Sequence, residues 1–202
     1  IQAGDVDLFL VGGTENMSSI PYIVKGARWG LKLRHSEFTD ALWEGLTDPT
    51  CHLIMGGTAE NVAEQWGISR EEQDQYAVQS HKKAFMATRM GKFKDEIVPV
   101  EVVKKAAGQE VAKETITQDE SINPGLTVQQ AASYPTVFKK HGTATPANAC
   151  PLSDGAAAVI VMTEDKAKAL GLKPLAHIRA YAYAAIPPDI MGLGPAYSVP
   201  KA

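Results

Sequence analysis

Thiol chemistry is the first possibility this sequence raises. Cys51 stands beside His52, and Cys150 lies within the small-residue stretch GTATPANACPLSDGAAAVIVM, Gly142 to Met162. A reactive cysteine needs its thiolate favoured by a helix N-terminus or a neighbouring base. For Cys150 the nearest histidine in sequence is His141, on the far side of a loop. For Cys51, the adjacent His52 projects elsewhere, because neighbouring side chains on a strand or helix point apart. Both cysteines therefore read as inert, the usual state of an isolated cysteine. The stretch around Cys150 has a second use. Gly142, Ala144, Ala147, Ala149 and Gly155 leave little side chain in the way, so a ligand could approach the main-chain N–H groups. The same small residues equally permit tight strand packing, and composition leaves both readings open.

Other chemistry finds less support. The five histidines, His35, His81 and His177 among them, show no metal-ligand spacing, and CxxC, HExxH and EF-hand patterns are absent, so no metal is expected. GGTENM places two glycines after a strand but lacks the rest of a dinucleotide fingerprint, and there is no phosphate-loop lysine. Glu60, Glu64, Glu71, Glu72 and Asp74 form an acidic run that reads as a solvated helix face rather than paired catalytic carboxylates.

The elements that would position these groups follow from periodicity and local stop signals. VDLFLVGG, Val6 to Gly13, suits a buried, parallel strand. Residues 18–50 mix Gly, Pro, Trp and charge, which predicts loops with one or two short helices. Thr58 to Gly67 has helical composition. Ser69 followed by Glu72 is a capping box that opens a long helix, and Gly91 closes it. Gln73, Ala77, Ser80, Ala84 and Thr88 give that helix a face of small residues suited to close packing. Asp95 to Lys104 predicts an edge strand because of Pro99, and the following twenty residues read as polar and exposed. Asp154 to Glu164 predicts a central strand, Lys166 to Leu170 a short helix stopped by Gly171, and Leu175 to Ala185 a further strand.

The bulk numbers bound the class. With 202 residues, 45% of them hydrophobic and 21% charged, the chain has an ordinary globular composition and can bury a core. A formal charge of −3 supplies no basic face, so neither nucleic acid nor an anionic membrane surface is an expected partner. No apolar run approaches the ~20 residues of a membrane span. Two cysteines suit a reducing compartment, and a cytoplasmic location is expected. Ile1 falls within a helix-like stretch and the last residues open another, so the sequence reads as a piece of something longer. Strand, a long and mostly helical excursion, strand, short helix, strand: the order is α/β with a large insertion.

Four stretches together are more specific than any one. GGTENMS at 12–18, MGGTAENVA at 55–63, GTATPANACPLSDGAAAV at 142–159 and MGLGP at 191–195 resemble, in order and spacing, the thiolase family of acetyl-CoA acetyltransferases and 3-ketoacyl-CoA thiolases. ARWGLK and FKDEIVPV fit as well, and the resemblance covers the whole chain. It implies a partial thiolase-like fold, layered α-β-α-β-α, with a mostly helical loop domain inserted between two sheet strands. The implied divisions are 1–17, the end of the N-terminal domain; 18–150, the loop domain that binds coenzyme A; 151–172, the last strand and helix of the N-terminal domain; and 173–202, the start of the C-terminal domain.

By resemblance, the reaction is acyl transfer through a cysteine thioester, run as Claisen condensation or thiolysis. Coenzyme A and acyl-CoA are substrates, with no covalently bound cofactor, in a homo-oligomer, dimer or tetramer. The family's nucleophilic cysteine would precede Ile1, and its activating histidine and second cysteine would follow Ala202, so no catalytic residue is expected in this chain and it should be inactive alone. Leu46, Met55, Phe138, Cys150, Leu152 and Met191 match positions lining the coenzyme A and acyl channel, with Met55 and Met191 nearest the reacting end. Asn123 stands where many members carry an arginine against the nucleotide, Gln130 where they show a serine, and Ile54 where some biosynthetic members have a histidine. A non-catalytic thiolase-like module that binds coenzyme A or an acyl chain is the alternative. A 3-ketoacyl synthase relative shares the fold but is not expected to carry the 142–159 stretch.

Overall fold

A computed structural model describes residues 1–106 and 109–202. In chain order the elements are β1 (Leu8–Asn16), β2 (Tyr22–Ile23), β3 (Thr39–Asp40), α1 (Ala41–Leu46), α2 (Met55–Trp66), α3 (Arg70–Arg89), β4 (Val100–Ala106), β5 (Gln109–Ile116), α4 (Val128–Ser133), β6 (Asp154–Met162), α5 (Glu164–Ala169) and α6 (Gly194–Ser198). Short 3₁₀ turns cover Met17–Ser19, Ala27–Trp29, Pro188–Leu193 and Val199–Lys201. The mixture is α/β, as expected. The chain divides into two compact units, Ile1–Val62 with Leu152–Ala202, and Ala63–Pro151.

In the first unit β1 and β6 pair along their full lengths, Leu8 opposite Met162 through Asn16 opposite Asp154. The pairing is antiparallel, which corrects the expectation of a buried parallel strand over Val6 to Gly13. An unbroken apolar run is common in parallel sheets, but direction is set by the neighbour that completes the ladder, and no residue within β1 encodes it. Nor is β1 buried: Phe9, Leu10, Val11, Val159 and Ile160 are all exposed, because among the described residues the sheet has these two strands and no more. For the same reason β6 is not a central strand. Gly12 is required here, since a Cβ at that position would lie 2.9 Å from the carbonyl oxygen of Ala157 on the facing strand. A hydroxyl then closes the end of the ladder: Ser18 Oγ donates to Asp154 Oδ2 at 2.5 Å and its backbone N–H to Asp154 Oδ1 at 3.0 Å.

The expected strand over Leu175 to Ala185 does not form. Its residues alternate, yet none joins a ladder among the described residues, and Leu175, Ile178, Tyr181 and Tyr183 are exposed. Alternation prepares a segment for a sheet, and only a paired neighbour makes it a strand. The short helix before it is as expected: Thr163 caps α5 by accepting from the N–H of Lys166, and Gly171 ends it in the left-handed region at φ 67°.

In the second unit α3 carries the capping box that the sequence predicts. The backbone N–H of Ser69 donates to Glu72 Oε2 at 2.8 Å, and that of Glu72 donates to Ser69 Oγ at 3.2 Å. Gly91, at φ 69°, ends the helix. Its buried side chains are Asp74 and Val78, not the small-residue face: Gln73, Ala77, Ala84 and Thr88 are half-buried and Ser80 is exposed. Val78 packs with Leu126, Ala131 and Ala147 beside Val128, so α3, α4 and the small-residue loop share one core. Burying side chains such as Val78 and Leu126 contributes about 1.5–3 kcal/mol each.

The Asp95 to Lys104 expectation needs two corrections. β4 starts at Val100, immediately after Pro99, which has no N–H to give a ladder. It also has a partner in β5, within the stretch read as polar and exposed, for which no strand is expected from the sequence. Two ion pairs lie diagonally across this hairpin, Lys104 to Glu114 at 2.5 Å and Lys113 to Glu101 at 3.1 Å. The expected exposure holds at 112–115, while burial at 105–111 lies outside the described residues. No helix among the described residues is long and apolar enough to cross a membrane.

Candidate functional site

The small-residue loop is built around two side chains. Thr145 is fully buried, and its carbonyl accepts the N–H groups of Asn148 at 3.2 Å and Ala149 at 2.9 Å. Its hydroxyl accepts from the N–H of Ala147 at 3.2 Å. Asn148 completes the turn from within: its Oδ1 accepts the N–H of Thr145 at 2.8 Å, and its Nδ2 donates to the carbonyl of Thr143 at 2.9 Å. Ala144 and Ala147 are buried alongside. Of the two uses open to this stretch, the structure shows close packing for residues 143–148: their N–H groups at 145, 147 and 148 are occupied by the loop itself. His141, just ahead, sits in the left-handed region at φ 59°.

The second Nδ2 hydrogen of Asn148 leaves the loop and reaches Asp74 Oδ1 at 2.9 Å. Asp74 is 1% exposed, and its other oxygen accepts from Arg70 Nε at 2.7 Å. Arg70 in turn donates through one terminal nitrogen to the carbonyls of Ala131 at 2.7 Å and Tyr134 at 3.2 Å, at the end of α4. The acidic run is therefore not one solvated face. Glu64, Glu71 and Glu72 are exposed, but Glu60 and Asp74 are buried. Asp74 was legible only through its spacing, since Arg70 and Asp74 are an i,i+4 pair. Exposed Glu64 is held below the usual carboxylate range by the hydrogen bond and charge of Lys139.

Four of the six expected lining residues, Leu46, Met55, Leu152 and Met191, lie in the first unit. Leu46 ends α1 and Met55 begins α2, and a single antiparallel bridge between Thr47 and Ile54 brings those ends together. Asp48 organises the turn between them. Its carboxylate accepts from the N–H groups of Cys51 at 2.9 Å and Thr50 at 2.7 Å, and these bonds, that of Cys51 foremost, hold it below the usual carboxylate range. His52, in the same turn, adopts φ 58°. α2 also touches the turn that carries Met191: Asn61 Nδ2 donates to the carbonyl of Asp189 at 3.0 Å. Met55 is 48% exposed, Met191 43% and Leu152 66%, so these three apolar side chains stand open on their surface.

Phe138 and Cys150 belong to the second unit, the first half-buried and the second exposed. Both cysteines are free thiols. Cys150 lies in irregular backbone ahead of β6, and Cys51 in the Asp48 turn, so neither sits on the first turn of a helix, where the dipole would stabilise a thiolate. Among the described residues no three His, Cys, Asp or Glu side chains gather as a metal would require.

The positions that depart from the resemblance have local roles here. The N–H of Asn123 donates to His81 Nδ1 at 3.2 Å, which fixes that histidine's acceptor side. Gln130 closes the capping box of α4, its Oε1 accepting from the N–H of Thr127 at 3.0 Å. Two open hollows flank the C-terminal half of α3, one of about 340 Å³ lined by Tyr76, Lys83 and Phe93 among others, and one of about 360 Å³ that shares Phe93. Neither contains an expected lining residue.

Residues 1–165 match the model of the thiolase N-terminal domain. A probable acetyl-CoA acyltransferase of Staphylococcus epidermidis is 44% identical over 203 residues, aligning with all of this chain and 50% of its own length. An acetyl-CoA acetyltransferase of Pseudomonas aeruginosa is likewise 44% identical, over all of this chain and 51% of its own. The fold is similar to that of human mitochondrial 3-ketoacyl-CoA thiolase, with a TM-score of 0.90 at 41% identity, covering 99% of this chain and 49% of that one. Against the same human enzyme solved in complex with CoA, the TM-score is 0.86 at 42% identity, with coverages of 97% and 48%. The chain spans about half the length of the curated relatives it matches.

Proposed function

Because this chain belongs to the thiolase family, we propose that it is the coenzyme A-binding portion of an acetyl-CoA C-acetyltransferase or 3-ketoacyl-CoA thiolase. The observation that carries this reading is similarity over essentially the entire chain to a thiolase solved with CoA. Acyl transfer through a cysteine thioester, as condensation of two acyl-CoA molecules or thiolysis of a 3-ketoacyl-CoA, is the proposed reaction of the whole protein. That chemistry requires an activated thiolate, a second acid–base group and donors for the developing oxyanion, each such donor worth roughly 3–4 kcal/mol.

The role assigned to this chain is binding. Leu46, Met55, Phe138, Cys150, Leu152 and Met191 are the residues proposed to meet coenzyme A and the acyl group. Supporting this are the exposed positions of Met55, Leu152 and Met191, which leave apolar surface for a ligand to cover. In domain terms, 18–150 would be the loop domain that holds coenzyme A, set between 1–17 and 151–172, with 173–202 opening the C-terminal domain. A cytoplasmic homo-oligomer completes the proposal.

The 202 residues alone should not turn over substrate, since neither Cys51 nor Cys150 is placed to be activated. Acetoacetyl-CoA thiolysis, followed as loss of the Mg²⁺-enolate absorbance on addition of CoA, tests this on the purified chain. No turnover is expected, together with saturable CoA binding in equilibrium dialysis. Turnover that disappears in Cys150→Ala would overturn the assignment of Cys150 as a wall residue. Absence of CoA binding would overturn the binding role.

A further inference from the structure

Asp74 is a buried titratable side chain for which the acyl-transfer reading has no use. We propose that Asp74 and Asn148 are positioning residues: the carboxylate anchors the Asn148 amide, and the amide fixes where the chain carries Cys150 against coenzyme A. The inference rests on the reading of Cys150 as part of the coenzyme A wall.

The geometry forms one unbroken run of hydrogen bonds. It starts at the carbonyls of Ala131 and Tyr134, passes through Arg70 to Asp74, crosses to Asn148 and ends in the turn 143–149. Asn148 uses both of its amide donors here and accepts once at Oδ1, and its bond to Asp74 joins the loop to α3. Asp74 likewise has one oxygen for the helix-side cation and one for the loop. Nothing in this run touches Cys150. Among the described residues Cys150 has no hydrogen bond of its own, and the last anchored peptide before it is the N–H of Ala149 on the Thr145 carbonyl at 2.9 Å. The exposed thiol is therefore placed by the turn, and the turn by Asn148.

A scaffold of this kind can be distinguished from simple stabilisation, because the two bonds of Asp74 have separable consequences. Asp74→Asn can still accept from Asn148, but it presents no charge to Arg70, so stability falls while the loop anchor persists. Asn148→Ala removes the anchor and both bonds within the turn.

The test uses the full 202-residue chain with Cys51→Ser, leaving Cys150 as the one thiol, and follows its alkylation by iodoacetamide at increasing CoA. In the parent, CoA should slow alkylation saturably. Asn148→Ala should raise the CoA concentration for half-protection at least about tenfold, on the scale of losing a hydrogen bond to a charged group. Asp74→Asn should keep half-protection within about twofold despite a lower Tm. Unchanged protection in Asn148→Ala would overturn the positioning role alone. Absence of protection in the parent would overturn the wall assignment and this inference with it. If Asn148→Ala is not recovered folded, Asp74→Ala decides, because it removes the acceptor of Asn148 as well as the charge facing Arg70: half-protection raised well beyond that of Asp74→Asn supports the inference, and half-protection equal to that of Asp74→Asn overturns it.

Discussion

Replacing Asp74 by alanine should be among the most damaging single changes in the second unit. The carboxylate is 1% exposed and bound by Arg70 Nε at 2.7 Å and Asn148 Nδ2 at 2.9 Å. Removing one partner of a buried pair costs about 3–5 kcal/mol, because the remaining charge is left without compensation. Here the penalty falls at the low end: the Arg70 side chain is 24% exposed and keeps the carbonyls of Ala131 and Tyr134 as acceptors. Most of the cost is the lost pairing of Arg70, about 2 kcal/mol, with about 1 kcal/mol for the Asn148 donor that loses an acceptor but retains the Thr143 carbonyl. A total near 3 kcal/mol corresponds, for a chain of this size, to a fall in Tm of about 6–12 °C. Thermal unfolding followed by far-UV circular dichroism measures it, with Glu71→Ala, an exposed change on the same helix, as the control. A fall under about 3 °C would show that the network is not paired as described.

Three further outcomes follow from local geometry. Ser69→Ala should cost about 1 kcal/mol, read as a lower urea midpoint, since it removes the hydroxyl half of the α3 capping box. Gly12→Ala should cost about 1–3 kcal/mol, because the new Cβ would meet the Ala157 carbonyl at 2.9 Å and the β1–β6 ladder must shift; thermal unfolding reports it. Asp154 is held below the usual carboxylate range chiefly by the Ser18 hydroxyl and then by the Ser18 N–H. A depressed folded value means the carboxylate's contribution is complete above the usual carboxylate range and is lost as pH falls through the folded value. Ser18→Ala should therefore move the Asp154 carboxyl titration, followed by NMR, up toward that range; an unmoved titration would refute the assignment of cause.

The proposed site was only partly readable along the chain. Leu46 and Met55 are nine positions apart, yet a single bridge between Thr47 and Ile54, with Asp48 in the turn, brings the ends of α1 and α2 together. Asp74, the side chain most deeply tied to the 142–149 loop, looked like one member of an acidic run. Its partner Asn148 lies 74 positions away, too far for any local signal.

Helix ends were readable because caps act within one turn. Ser69 and Glu72, Gly91 and Gly171 each do their work through backbone groups three or four residues away, so the residues alone predict them. Strands are different, since a ladder needs a second chain segment to supply half of every hydrogen bond. The antiparallel pairing of β1 with β6, the hairpin of β4 with β5 and the lack, among the described residues, of any ladder over Leu175 to Ala185 were each decided by whether, and from where, such a segment arrives. The small-residue loop belongs with the strands. Its composition allowed either a ligand or close packing, and burial of Thr145 together with the reach of Asn148 to Asp74 decided for packing at its centre, leaving Cys150 exposed at its edge.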